Sequence, residues 1–245
     1  MHRLKIYWQR LSAYISEIQK FKRNYPKHYS LFEMLKFFLP WFFSLRFGAS
    51  PLKDEIPWMT FKAIEFLNIN LVKNMRVFEY GSGGSTIFFG LHGCEVFSVE
   101  HDKNWYNAVQ TQLHKRKMYA CKLFLISPTD APEGAVYSPQ GPQQCLSDDL
   151  NFLKKSFYRY VHVIDGYPDG YFDFVVIDGR ARNSCFVNCL SKVKCGGYIV
   201  WDNTDRQSYS NLVNSAHEGL EFIDFPGPSP YADFFTRTSI WKKNK

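Results

Sequence analysis

The chain has 245 residues, 45% of them hydrophobic and 18% aromatic, which supports one substantial core and excludes disordered, collagen-like and low-complexity classes as well as two full-sized domains. Its six cysteines (Cys94, Cys121, Cys145, Cys185, Cys189, Cys195) contain no CxxC pair and are too sparse for a disulfide framework, so a reducing, cytoplasmic setting is expected. The net charge of +7 is concentrated in residues 1–55, where ten Lys or Arg face four Asp or Glu, against 20 and 19 in the remainder; a near-neutral body argues against a nucleic-acid groove, while a basic appendage points to an anionic surface or partner.

In chain order, the N-terminus mixes charge throughout and has no h-region, so no secretory signal is expected there. Leu4, Trp8, Leu11, Ile15 and Ile18 recur at helical spacing, which predicts an amphipathic helix whose apolar stripe either caps the protein's own core or meets a membrane surface or partner. The aromatic run Phe37 to Phe47 favours a peripheral membrane contact through residues 1–47, but Pro40 interrupts it and it is far short of the ~18 residues that span a bilayer. The turn-rich stretch Gly48 to Trp58 sets a boundary between a helical extension, 1–55, and a second unit, 56–245.

From Thr60 helices alternate with short apolar strands, the pattern of an α/β protein with a parallel sheet. A helix over 60–73 leads into strand 76–81; a helix in STIFFGL, strand 95–100, a helix from Asp102 and strand 122–127 follow. The stretch 128–171 is too long for an ordinary loop and reads as an insertion with some helix near Leu150 to Tyr160. Strand 172–178, a helix over 183–194, strand 198–203 and a helix in SYSNLVNSAHE come next. Segments 220–225 and 235–243 are separated only by PGPSPYAD, too short for a crossover, so they pair antiparallel.

The strongest local signal is RVFEYGSGGST, a strand running into Gly81, Gly83 and Gly84 before a helix, where glycines permit a tight turn and the helix N-terminus offers free N–H groups. Thr86 stands where a dinucleotide fingerprint has its third glycine, and the carboxylate of Glu79 repels a pyrophosphate, so an NAD- or FAD-dependent oxidoreductase is disfavoured. Glu100 ends the next strand, where an acidic residue accepts both hydroxyls of a ribose.

Taken together, EYGSGGST, VEHD, FDFVVIDG and GGYIVWDN with a terminal antiparallel pair resemble the class I S-adenosylmethionine-dependent methyltransferases over about Trp58 to Trp241. SVEHDKNWY, FDFVVIDGRAR, WDNTDR and TSIWK are similar to a subgroup of small methyltransferases, several of them associated with carbohydrate or cell-surface biosynthesis. The resemblance implies a Rossmann-like, seven-stranded sheet, mostly parallel with a C-terminal antiparallel hairpin. It also implies methyl transfer to a small-molecule or glycan hydroxyl. Gly81, Ser82, Gly83, Gly84 and Ser85 would bound the methionine part of the cofactor, with Glu79 near its ammonium, Glu100 on the ribose, and His101 and Asp102 at the adenosine or simply capping a helix. Ser127, Thr129 and Asp130 are the polar groups available for adenine, and Asp130 is taken.

Asp178, Asp202 and Asn203 end the fourth and fifth strands, facing the same crevice. Their arrangement resembles the site of magnesium-dependent small-molecule O-methyltransferases and would suit Mg2+. The lysine usual three residues after the fourth-strand Asp is Ala181 here, which leaves the base among Asp178, His101 and His92. Arg180 and Arg182 could bind an anionic acceptor or pair with Asp205, and a capped turn over Asp202 to Arg206 stabilised by an Asp–Arg pair is the plain structural alternative. DGRA after the fourth strand lacks the Pro-Pro-aromatic that follows the Asn or Asp of nucleic-acid amino-methyltransferases, so a nucleic-acid acceptor is not expected. A non-catalytic cofactor-binding or interaction protein of the same fold stays open. Cys185, Cys189 and Trp201 read as packing residues.

Overall fold

The computed structural model describes residues 2–26, 28–138 and 141–244. Its centre is a seven-stranded sheet of β1 (Arg76–Tyr80), β2 (Glu95–Glu100), β3 (Cys121–Leu125), β4 (Phe172–Ile177), β5 (Val193–Asp202), β6 (Leu220–Pro228) and β7 (Phe235–Lys243). Their order is β3-β2-β1-β4-β5-β7-β6; the first five run parallel, and β7 lies antiparallel between β5 and β6. Strands are added outward in opposite directions from β1 and from its parallel neighbour β4, and this switch in winding opens a crevice beyond the C-terminal ends of these strands, where ligands of such sheets bind.

The strands are apolar on both faces because helices cover both. Along β1, Phe78 and Tyr80 point into one core with Phe97, Phe172, Phe186, Trp201 and Trp241, while Val77 points into the other with Ala63, Leu67, Phe88, Phe89 and Val176, the two-residue alternation of a strand. The second core is closed by α5 (Phe61–Asn70) and α6 (Gly84–Leu91). On the first lie α8 (Tyr158–His162), from the insertion, and α9 (Arg182–Cys189), which follows β4; α7 (Lys103–Lys115), after β2, instead packs Val109 and Leu113 against Ile87 of α6 in a separate small cluster.

Elements with strong periodicity lie close to their expected limits; three segments differ. The insertion's helical content near 150–160 is broken up: a 3-10 turn at Leu150–Phe152, a two-residue strand Lys155–Ser156 paired with Thr129–Asp130, and α8. The helix expected in 208–218 shrinks to a 3-10 turn and α10 (Ser210–Val213). Similarly, α9 ends at Cys189, and β5 begins at Val193, ahead of Gly196 and Gly197.

The extension forms α1 (His2–Asn24), α2 (Leu31–Lys36), α3 (Phe38–Ser44) and α4 (Pro51–Asp54). The inward stripe of α1 keeps Leu11 and Ile18 of the expected one but is rotated: Tyr14, Ile18 and Phe21 are buried and Tyr7 and Leu11 pack beside them, whereas Trp8 and Ile15 stand exposed; the side chain of Leu4 lies outside the described residues. Aromatic rings decide this rotation. Tyr14 packs on Phe38, Trp41 and Phe235 and donates to the Met34 carbonyl at 2.6 Å, contacts that no aliphatic stripe could supply. Phe235 belongs to β7, so the inner face of the extension packs on the body. No described helix is long and apolar enough to cross a membrane.

Candidate active site

A cavity of about 730 Å³ opens over the C-terminal ends of β1, β2, β4 and β5. One rim is the glycine loop, Gly81 to Ser85, with Glu100, His101, Asp102 and Trp105; the other carries Asp178, Arg180, Arg182, Asp202, Asn203 and Arg206, and a third side comes from Ser229 to Thr236 and from Pro51 and Trp58. The expected residues Asp178, Asp202, Asn203, Glu100 and the loop are therefore brought together. Glu79, Asp130 and His92 do not line the cavity.

Gly81 has φ +96°, and a Cβ there would come 2.8 Å from the Gly179 backbone, so its conformation and its neighbour both require glycine. Gly84 serves a different need: a Cβ would collide with the carbonyl oxygens of Pro51 and Ile56, because the extension crosses the first turn of α6 there.

Glu79 is fully buried under α6. Its carboxyl accepts from Ser85 Oγ, from Thr86 Oγ1 at 2.6 Å and from Ser98 Oγ at 2.6 Å. Ser98 is its lateral partner on β2. Burial drives its carboxyl up to about 7, against the pull of the three hydroxyls. Rather than reaching into the cavity toward an ammonium, Glu79 clamps the glycine loop and helix to the sheet. Thr86 completes the clamp by accepting the Gly83 N–H at 2.9 Å, which is why glycine is absent from that position.

Glu100 is 3% exposed yet borders the cavity. One oxygen accepts from Ser82 N–H (3.1 Å) and Ser82 Oγ (3.0 Å); the other accepts from the N–H groups of His101 (2.7 Å) and Asp102 (2.9 Å). His101 Nδ1 sits 2.8 Å from that second oxygen without hydrogen-bond alignment. Burial pushes the carboxyl up, but the His101 ring and the backbone donors outweigh it and hold it below its ordinary value. Asp102 caps α7 through Trp105 N–H at 2.7 Å, and the Trp105 indole donates to Ser82 O at 2.6 Å, lying over the glycine loop. Ser127 hydrogen-bonds the His101 carbonyl at 3.3 Å. Asp130 is exposed and paired with Lys155 at 2.6 Å, and His92 is held at the far end of α6 by the Phe88 carbonyl and Asn68.

Arg182 organises the opposite rim. It is 5% exposed. It donates to the carbonyls of Gly179 (2.9 Å), Asp178 (2.8 Å) and Asp202 (2.6 Å) and to Asn203 Oδ1 (3.1 Å), and it pairs with the Asp178 carboxylate at 2.9 Å. Burial and then the charge of Asp178 push the Asp202 carboxyl well above its ordinary value; Thr238 donates to it at 2.6 Å. Asp178 is likewise raised by burial, with Arg182, Arg206 and Arg180 pulling it down.

This donor set does not fit Mg2+. Asp178 faces a guanidinium, Asp202 is enclosed and accepts from Thr238, and Asn203 Oδ1 accepts from both Arg182 and Arg206. Positive charge attached to the chain occupies the place of a cation, and among the described residues no group of three or more His, Cys, Asp or Glu could hold a metal ion. Asp205 takes Thr236 Oγ1 and Arg237 N–H instead of an arginine of the rim, and the turn after β5 is tied by Asn203 to Arg206 rather than by an Asp–Arg pair.

Sequence reasoning missed Trp105, whose signal was a Trp in the first turn after a capping Asp. It also missed the loop after β6, whose position follows from topology. Because β7 is antiparallel to β5, with Asp202 opposite Thr238, its N-terminal end must lie over the cavity. The insertion contributes Asp149, which pairs with Arg180 at 3.2 Å, and Phe152 beneath that guanidinium.

No protein-family model matches the chain, and no curated protein matches it in sequence. Solved structures are similar. An O-methyltransferase from Bacillus cereus in complex with SAH matches at TM-score 0.52 and 13% identity, over 92% of this chain and 96% of that one. Cofactor-bound Rv0187 from MTB matches at 0.53 and 15%, over 82% and 84%. An rRNA methylase from Streptococcus thermophilus matches at 0.50 and 13%, over 74% and 93%. The chain thus has the Rossmann-like fold of the class I S-adenosylmethionine-dependent methyltransferases, at identities that speak for the fold alone.

Proposed function

We propose that the protein is an S-adenosylmethionine-dependent methyltransferase acting on a hydroxyl of a small molecule or glycan in the cytoplasm. Residues 56–245 form its methyltransferase domain, and the extension, 1–55, completes its cavity and offers residues 1–47 to a membrane surface. The observation that carries this reading is Glu100: a buried carboxylate, 3% exposed, at the end of β2, bordering a cavity whose adjoining rim is the glycine loop. Ribose hydroxyls would take over the oxygen now satisfied by Ser82 Oγ, the methionine part would lie along Gly81 to Ser85, and His101 and Trp105 would flank the adenosine. The SAH complex of the Bacillus cereus neighbour supports the choice of cofactor.

The cofactor supplies an electrophilic methyl group on a sulfonium. An acceptor hydroxyl receiving that methyl would have to give up its proton, which calls for a base among the residues of the cavity. We assign that role to Asp178, which borders the cavity and whose carboxyl is raised above its ordinary value by burial; Arg182 holds it in place. Arg180 and Arg206, on the same rim, suit an acceptor that carries an anionic group. His101 lies against Glu100, and we give it the adenosine contact instead of the base. The rRNA methylase among the neighbours means that fold does not separate acceptor classes; the near-neutral body and the DGRA segment favour a non-nucleic-acid acceptor.

The test is calorimetric titration with S-adenosylhomocysteine, followed by transfer of isotopically labelled methyl groups into an extract of small molecules and glycans. Binding with labelled O-methyl products is expected; no heat with S-adenosylhomocysteine, or label only in RNA, overturns the reading.

A further inference from the structure

From Leu31 to Ser44 the extension is almost one continuous helix, since Phe37 keeps right-handed helical backbone (φ −86°, ψ −2°) between α2 and α3. At 3.6 residues per turn this run has two apolar faces. Met34, Phe37, Phe38 and Trp41 point inward and are buried. Phe32, Leu35, Leu39 and Phe43 point outward and are 81%, 43%, 54% and 59% exposed, and Phe47, just past the helix, is fully exposed. A helix that buries one face ordinarily carries polar residues on the other. A contiguous exposed apolar row of this kind marks an interaction surface.

Two cations lie within the same row, Lys36 and Arg46, with side chains 56% and 54% exposed; each also reaches a carboxylate of the protein, Lys36 that of Glu65 and Arg46 that of Asp54, so headgroups would compete with or share these pairs. They belong to a segment with ten basic and four acidic side chains, attached to a nearly neutral body.

We propose that the outer face of α2 and α3, with Phe47, docks in the plane of an anionic lipid bilayer, Phe32, Leu35, Leu39 and Phe43 entering the acyl boundary while Lys36 and Arg46 meet the headgroups. This deepens the peripheral contact suggested above and does not depend on methyl transfer. Charge selects the bilayer over a second copy of this chain, because two copies joined face to face would bring two strongly basic segments together, whereas an anionic surface complements one. The inner face of the same helices holds the cavity wall: Trp41 Nε1 donates to the Ala232 carbonyl at 2.7 Å, and Ser44 Oγ accepts the Tyr231 N–H at 3.1 Å. A docked extension is therefore joined directly to the rim of the candidate active site.

The experiment is sedimentation of the full chain with sucrose-loaded vesicles of pure phosphatidylcholine or of phosphatidylcholine with one third phosphatidylglycerol, at low and high salt, alongside light scattering without lipid. Binding to the anionic vesicles, weakened by salt, is expected, with at least a tenfold lower partition coefficient for Phe43→Ser/Phe47→Ser and for Phe32→Ser/Leu35→Ser. All four positions are exposed, so the variants should melt at the wild-type temperature, and S-adenosylhomocysteine binding should be unchanged, which separates this proposal from the enzymatic one. Failure of the wild type to sediment, equal sedimentation of folded variants, or a dimer that the variants dissociate in place of vesicle binding would each overturn it.

Discussion

Gly81 and Gly179 lie back to back where β1 and β4 give way to their loops, so close that a Cβ on Gly81 would stand 2.8 Å from the Gly179 backbone. Two loops from opposite sides of the crevice touch without side chains between them, which leaves the space above for a ligand. Gly81→Ala should cost about 1–3 kcal/mol by forcing backbone shifts and should abolish S-adenosylhomocysteine binding; denaturant melts and calorimetry read the two effects separately.

Replacement of Glu100 by Ala should weaken S-adenosylhomocysteine binding by about 2–3 kcal/mol, the net value of two hydrogen bonds. The same change strands the N–H groups of Ser82, His101 and Asp102, so thermal stability should fall as well. Glu100→Gln retains one acceptor but turns an NH2 toward backbone N–H groups on the other side, so it should recover only part of the stability and little of the affinity.

Methyl transfer should be insensitive to EDTA, because Arg182 neutralises the rim that a cation would otherwise occupy. Arg182→Met should destabilise the protein by about 3–5 kcal/mol by leaving the Asp178 carboxylate without its buried counter-ion. EDTA-sensitive turnover restored by Mg2+ would contradict the assignment.

The Glu79 carboxyl, at about 7 in the folded protein, binds its proton more tightly than in the unfolded chain. Its contribution to stability is therefore fully present below the unfolded value near 4.5 and is lost as pH rises to about 7. Glu79→Gln removes that loss, so the variant should gain up to about 3 kcal/mol relative to wild type at pH 8 and nothing at pH 4. Urea titrations at the two pH values check it.

Deletion of residues 1–55 should expose Phe61 and Phe235 and release the loop at Tyr231, whose hydroxyl donates to Asp54 at 2.9 Å. The shortened chain is expected to aggregate or to lose S-adenosylhomocysteine binding. A soluble, binding-competent fragment would show that the extension is dispensable to the cavity.

The local pattern alone determined the parallel sheet, its reversed last pair, the glycine loop and the carboxylate ending β2, because each is written in short-range signals: alternation along strands, glycines at a turn, an acidic residue at a strand end. The burial of α1 was settled only in three dimensions. Aliphatic spacing pointed to Trp8 and Ile15, but the available partners were the rings of Phe38, Trp41 and Phe235, and these turned Tyr14 and Phe21 inward. The same holds at the site. Asp178, Asp202 and Asn203 were readable as neighbours from strand order, yet whether a cation or an arginine balances them depends on where one long side chain runs, and Arg182 reaches across both strand ends. Glu79 and Glu100 are both acidic residues near one loop; tertiary burial gave one to the sheet as a clamp with its proton held, and left the other ionised at the edge of the cavity. Sequence spacing carries the period of an element, while the protonation and partner of a buried charge are properties of its whole surroundings.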